Sequence, residues 1–193
     1  MKVYEEIPVE LAEWISAQPL YFVASSPLSE QGHINLSPRG LDSLRMINSR
    51  EVALLDLTGS GNETAAHLSE NGRITIMLCA FSASPAIVRL FGKGSVVRPG
   101  AANWDSLFAR FDQSVIKSSP GIRQIFHVQL NRVQTSCGFG VPMMDFTGQR
   151  SELLDWAKKK GENGIHQYQM SNNTRSIDGL PAPLFTPGIE QTN

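Results

Sequence analysis

The chain of 193 residues has few of the features that mark the special classes of protein. Its two cysteines, Cys79 and Cys137, form no CxxC pair, so both are expected to be structural thiols rather than redox centres. No run approaches the ~18 consecutive apolar residues that a bilayer-spanning helix needs. Acidic residues occupy the N-terminal stretch where a signal peptide requires an apolar run, which predicts a cytoplasmic protein. The net charge of −1 indicates no broad surface for nucleic acid or anionic membrane.

What the sequence does contain predicts one globular domain over residues 1–193. Apolar residues make up 41% of the chain, an ordinary value for a folded protein. Short β-rich runs follow one another with turn signals between them, and regular βαβ alternation is absent. The pattern therefore predicts a mainly β fold, a small antiparallel barrel with flanking helices. The six predicted strands cover residues 20–26, 33–37, 52–57, 73–81, 87–97 and 127–139, and the predicted helices cover 9–18, 60–71, 104–116 and 151–169, before a coil tail.

The most informative segment is DLTGSGNET, residues 56–64, in which a strand ends and a helix begins. Ser60 is predicted to cap the helix, with Glu63 completing a capping box, and Gly72 to close it. Free amides at a helix N-terminus, with the helix dipole behind them, form a natural site for a phosphate. A capped helix after a glycine turn is the alternative that requires no ligand. A dinucleotide fingerprint is disfavoured, because Thr64 replaces its third glycine.

A second segment, NLSPRG at residues 35–40, also suits an anion. A serine hydroxyl and the fork of an arginine at a strand end can together hold a phosphate. An exposed turn with a solvated arginine is the plainer alternative. Two anion-compatible segments in one small barrel favour a binding site more than either segment does by itself.

Other constellations carry little chemistry. The four histidines lack the spacing of metal ligands, so no metal is predicted. No GxSxG motif accompanies a serine, which argues against a hydrolase triad. Asp42, Asp56 and Asp145 are interpreted as isolated carboxylates. No catalytic acid or base is therefore assigned.

The order of HINLSPRGLDSLRMI, VALLDLTGSGNETAAHLSENGRITIMLCAF and IVRLFGKGSVV resembles the pyridoxamine 5'-phosphate oxidase-related FMN-binding proteins. The resemblance continues through SCGFGVP and residues 172–181, in a branch of uncharacterised members. It implies a six-stranded antiparallel split β-barrel that forms a homodimer, with FMN at the interface. The chain departs from the true oxidases, which have a more basic phosphate cradle and an arginine-bearing C-terminal segment.

The resemblance also implies which residues contact the cofactor. The phosphate would be held by Ser37 and Arg39 together with Asn62 and Thr64. Backbone groups of Leu57 and Thr58 would lie along the isoalloxazine edge. Phe81 and the 138–142 segment would approach the ring, the latter from the partner subunit.

The function implied by the resemblance is that of an FMN-dependent oxidoreductase or flavin reductase acting on a small molecule. Two alternatives remain open at this point. One is a non-catalytic barrel that carries flavin or haem, and the other is a deazaflavin-dependent reductase with a longer cofactor tail.

Overall fold

The computed structural model describes residues 1–111, 114, 116–182 and 184. Its main feature is one antiparallel sheet of eight strands, in which β7 and β8 form the long central ladder. The strands are β1 Lys2–Tyr4, β2 Tyr21–Ser25, β3 Asn35–Arg39, β4 Leu44–Asn48, β5 Glu51–Leu57, β6 Arg73–Cys79, β7 Ile87–Val97 and β8 Ile122–Ser136. The helices are α1 Val9–Ser16, α2 Glu63–Glu70, α3 Trp104–Phe108 with a 3-10 turn at Ala109–Phe111, and α4 Glu152–Asn172.

The strand order explains why the sheet is a split barrel. It runs β3-β2-β6-β7-β8-β5-β4, with β1 added beside β8. Strands β3 and β4 therefore lie at opposite edges, yet only the turn at residues 40–43 joins them. Because so short a turn cannot span a flat sheet, the sheet must curl until its two edges approach each other.

The core fills the inside of this curled sheet. Alternate residues of each strand point inward, and α2 packs its buried alanines and Leu68 against them. A second cluster lies around Phe111, Ile116 and Ile125. Gly92 stands at a register shift between β7 and β8, where a Cβ atom would collide with the carbonyl of Gln129. A glycine at this position therefore allows the two strands to approach closely.

The mainly β split-barrel prediction is confirmed, but the strand count of six is wrong. The two missed strands, β1 and β4, are short, and neither is strongly apolar. Strand β3 also continues through Arg39, where the sequence suggested a turn. The predicted helix at 104–116 is α-helical only over 104–108 and continues as the 3-10 turn at 109–111, and part of its remainder lies outside the described residues. Helix α4 is interrupted at Gly161, whose φ of 66° is not helical.

Across the described residues, no helix has both the length and the apolar character that crossing a membrane requires. The end of the predicted coil tail, at 183 and 185–193, lies outside the described residues.

Candidate functional site

A cavity of about 760 Å³ opens between strand β3 and the end of β5. Strand β3 forms one wall, and the end of β5 with the loop at 59–62 forms another. The segment that precedes α4 contributes Phe146, Gln149 and Arg150 to the lining. The volume lies in the range of roughly 300–1,000 Å³ that is typical of small-molecule and cofactor sites.

Strand β3 presents a polar face to this cavity because its side chains alternate. Asn35, Ser37 and Arg39 line the cavity, whereas Leu36 on the opposite face is 64% exposed. The Ser37 hydroxyl donates to Oδ1 of Asn35 at 2.9 Å, and Asn35 Nδ2 donates to Oγ1 of Thr64 at 3.1 Å. One network therefore joins the polar face of β3 to the first turn of α2.

Beneath the cavity lies a buried charged group that we call the Asp56 cluster: Asp56, Arg39, Arg123 and Gln124. Asp56 is 1% exposed, and its carboxylate accepts from Arg39 Nη1 at 2.5 Å. It also accepts from Arg123 Nε at 2.9 Å and from Gln124 Nε2 at 2.8 Å. Two guanidinium groups against one carboxylate leave a net positive charge next to the cavity.

The ion pairs decide the protonation states of the cluster. Burial by itself would raise the pKa of Asp56, but the guanidinium groups of Arg123 and Arg39 outweigh it and lower that pKa. Burial likewise opposes the charge of Arg39, and the carboxylate of Asp56 reverses this and raises its pKa. Asp56 is therefore a carboxylate at neutral pH and is not a proton donor to a ligand.

Two buried polar atoms of this cluster lack a partner among the described residues. They are Nε of Arg39 and Oε1 of Gln124. Native proteins pair almost all buried polar atoms, so a pair of orphans in one network marks a place where a ligand or water completes the bonding. Arg39 also lies over the ring of Phe126, with its guanidinium carbon 5.3 Å from the ring centroid.

The loop before α2 differs in detail from its prediction. The helix begins at Glu63 with Asn62 as N-cap, so the predicted cap at Ser60 is wrong. The side chain of Asn62 instead donates to the Asn173 carbonyl at 3.0 Å and accepts from Gln124 at 2.7 Å. The backbone N–H groups of the first turn have no intrahelical acceptor and are available to an anion. At the other end Gly72, with a φ of 72°, closes the helix as predicted.

The structure brings most of the predicted site residues together. Five of the seven line the cavity, namely Ser37, Arg39, Leu57, Asn62 and Thr64. Thr58 lies behind the wall at 1% exposure, and its hydroxyl donates to the Gly121 carbonyl at 2.9 Å. Phe81 stands apart from the cavity of its own chain, and its carbonyl accepts from the Met144 amide at 3.0 Å.

Sequence reasoning missed the residues that hold the site from behind. Asp56 and Asp42 were interpreted as isolated, which is wrong, because Asp42 pairs with Arg45 at 2.6 Å and Asp56 forms the cluster. One signal was present in the sequence. A charge within the apolar run VALLDL is buried, and a buried charge requires a partner. The identity of those partners, Arg123 and Gln124, follows only from the pairing of β5 with β8.

The remaining chemistry-bearing residues do not extend this site. Among the described residues, no group of three His, Cys, Asp or Glu side chains could hold a metal ion. Cys79 is buried, which raises the pKa of its thiol, whereas Cys137 is exposed. His67 is fully buried on α2 and shares a hydrogen bond of 3.0 Å with Ser25 Oγ.

Comparison with known proteins identifies the relatives of this fold. The family model described as pyridoxamine 5'-phosphate oxidase matches residues 7–137. A protein of Aspergillus flavus named pyridoxamine 5'-phosphate oxidase family protein ustO is 38% identical over 195 residues. That alignment covers 92% of this chain and 76% of the fungal protein.

Two solved structures share the fold at low identity. The HupZ protein of Group A Streptococcus has a TM-score of 0.54 and 18% identity, covering 68% of this chain and 94% of HupZ. A putative pyridoxamine 5'-phosphate oxidase of Lactobacillus delbrueckii has a TM-score of 0.52 and 14% identity. The match covers 69% of this chain and 99% of the Lactobacillus protein.

Proposed function

The chain belongs to the pyridoxamine 5'-phosphate oxidase family, and from that membership we propose that it is an FMN-binding flavoprotein that acts as an oxidoreductase on a small organic molecule. One observation carries the proposal. The cavity between β3 and β5 combines a polar strand, free amides of a helix start and a cationic cluster with an unpaired guanidinium N–H. These are the groups that recognise a phosphate monoester.

The residues fit FMN in both charge and size. Its phosphate carries nearly two negative charges, and the net positive charge of the Asp56 cluster lies next to the cavity. Ser37, Arg39 and Thr64 would hold the phosphate with their side chains. Asn62 would contribute through its backbone N–H, because its amide group already bonds Gln124 and the Asn173 carbonyl.

The rest of the cofactor would occupy the apolar part of the cavity. Leu57, Phe126 and Phe146 are among its lining residues and supply surface for a flat ring system. In this proposal the backbone of Leu57 and Thr58 follows the ring edge, and the 138–142 segment of a second subunit approaches the ring. Bound flavin supplies the redox chemistry by accepting and returning a hydride.

The protein's own part is then to position the cofactor rather than to transfer protons. The ionisable side chains among the described lining residues are Arg39, Asp56, Glu63, Arg123 and Arg150. Asp56 is held as a carboxylate, and the Glu63 carboxylate accepts a hydrogen bond from the Ile177 amide at 3.1 Å. None of the four histidines lines the cavity, so the cavity offers no imidazole ligand to a haem iron. This favours flavin over the haem alternative.

The visible spectrum of the purified protein tests the proposal. The protein is reconstituted with FMN and excess cofactor is removed by gel filtration. Retained flavin absorbance, at close to one FMN per chain, is the expected result. A protein that stays colourless contradicts the proposal, a Soret band indicates haem, and mass spectrometry of the released cofactor distinguishes FMN from a deazaflavin.

We also propose that the chain forms a homodimer through the outer face of the sheet. By strand register, Leu36, Ala24, Thr75 and Phe91 form one continuous row across β3, β2, β6 and β7. The parallel row contains Pro38, Phe22 and Met77. Each of these side chains retains solvent exposure, and so wide an apolar face on a sheet favours a second copy as its partner.

The dimer can be tested at the middle of this face. Thr75→Arg places a charge between Ala24 and Phe91, where burial against a second copy would leave it unpaired. We expect the wild type to sediment as a dimer and the variant as a monomer in analytical ultracentrifugation. Ser69→Arg, on the exposed side of α2, adds the same charge elsewhere and should remain dimeric. A dimeric Thr75→Arg protein would remove this face from the interface.

A further inference from the structure

The family match ends at residue 137, yet part of the chain beyond it lies directly behind the cavity wall. We call residues 169–178 the C-terminal strap. It comprises the last residues of α4 and the turn that follows, and it runs along the loop at 58–63. What this part of the chain contributes follows from its contacts.

Four hydrogen bonds tie the strap to the loop. Gln169 Nε2 donates to Thr58 Oγ1 at 2.7 Å, and Asn173 Nδ2 donates to the Gly59 carbonyl at 3.0 Å. In return, the Asn62 side chain donates to the Asn173 carbonyl at 3.0 Å. The Ile177 amide donates to the Glu63 carboxylate at 3.1 Å. The strap thus bonds the loop near both of its ends, at residues 58–59 and 62–63.

The central contacts are shielded from water. Asn173 is 0% exposed, Asn62 is 2% exposed and Thr58 is 1% exposed. When a partner in such a contact is removed, water cannot readily replace it, and the group left behind stays unpaired. These hydrogen bonds therefore constrain the loop more than surface contacts would.

The loop needs such anchors because packing does not fix it. A Cβ atom placed on Gly59 would meet nothing within 4 Å, and one on Gly61 would meet only the side chain of Glu63. Glycines also allow the widest range of backbone angles. The orientation of the loop amides therefore depends on hydrogen bonds from outside the loop, and Asn173 bonds it on both sides of Gly61.

We propose that Asn173 is a positioning residue for the phosphate group of the cofactor. By holding the Gly59 carbonyl and the Asn62 side chain together, it orients the N–H groups of the loop before the ligand arrives. Preorganised donors bind more tightly because the ligand does not have to order them. The inference rests on the proposed function, since it assigns the ligand's phosphate to this loop.

The test compares two flavins that differ only in the phosphate. FMN and riboflavin are titrated by fluorescence into the wild type and into Asn173→Ala. We expect the variant to lose about tenfold in FMN affinity, the effect of roughly one buried hydrogen bond, and less than about twofold in riboflavin affinity. Asn172→Ala is the matched control, because that exposed side chain bonds only its own helix, at the Tyr168 carbonyl.

Each outcome decides the matter. Equal losses for both flavins, or no loss for either, would overturn a role in phosphate positioning. If Asn173→Ala does not fold, as judged by circular dichroism, Asn173→Leu keeps a side chain of similar shape but removes the donor to the Gly59 carbonyl, and the same selective loss is expected. A wild type that binds neither flavin overturns the proposed function itself, a result distinct from a variant that binds FMN as tightly as the wild type.

Discussion

Asp56→Asn is expected to lower the free energy of unfolding by about 3–5 kcal/mol, the usual cost of leaving a buried charge without its partner. The carboxylate accepts from Arg39, Arg123 and Gln124 at 1% exposure. An asparagine can offer one oxygen, but its own N–H groups would face the donors of these neighbours. Two guanidinium groups would then remain buried without a counter-charge.

The measurement is urea unfolding of the wild type and the variant. Asp42→Asn is the control, because Asp42 also pairs with an arginine but its side chain is 58% exposed. Exposed pairs contribute about 0–1 kcal/mol, so this control should change little. Equal midpoints for the wild type and Asp56→Asn would show that the cluster does not stabilise the fold.

The same carboxylate should control the stability in acid. Its pKa is lowered in the folded state, so its contribution is fully present above the ordinary pKa of aspartate, about 3.9. That contribution is lost as the pH falls through the folded pKa. Urea unfolding at decreasing pH should therefore show that the wild type loses this part of its free energy of unfolding, whereas Asp56→Asn does not.

Arg39→Ala is expected to weaken FMN binding by roughly 1.5–3 kcal/mol, the range of a hydrogen bond to a charged group. Arg39 lines the cavity and uses Nη1 for Asp56, while its Nε has no partner among the described residues. Its removal leaves Asp56 bonded to Arg123 and Gln124, so the variant should still fold. The loss should therefore appear in ligand affinity.

Fluorescence titration with FMN measures this affinity, and Arg45→Ala is the matched control. Arg45 also pairs with an aspartate and lies over an aromatic ring, but it is not among the lining residues of the cavity. We expect its variant to bind FMN as the wild type does. Unchanged affinity in Arg39→Ala would remove this guanidinium from the phosphate site.

The parts of the fold that the sequence predicts are those with strong local signals. Apolar runs predict β5 and β6, and Gly72 predicts the close of α2. Strands β1 and β4 have no such signal and are held by their neighbours β8 and β5. Pairing across the sheet overrides a weak local preference, and a single sequence does not show which strands pair.

In the candidate site, too, local signals predict some residues and not others. Two short segments have residue types that suit an anion, and they contain Ser37, Arg39, Asn62 and Thr64, which can therefore be predicted from the sequence. Arg123 and Gln124 are recognisable only when β8 is aligned beside Asp56. Asn173 lies 111 positions beyond Asn62, and nothing in the local sequence connects the two.

That separation has a consequence for the order of events during synthesis. A ribosome adds about 5–20 residues per second, so roughly 5–20 seconds pass between the translation of Asn62 and that of Asn173. Strands β6, β7 and β8 are made during this interval, and β8 ends at Ser136, so the loop at 58–63 still lacks its anchors when the last strand is complete. Under the proposed function, flavin would therefore bind only after translation has passed residue 173, as a late step of synthesis.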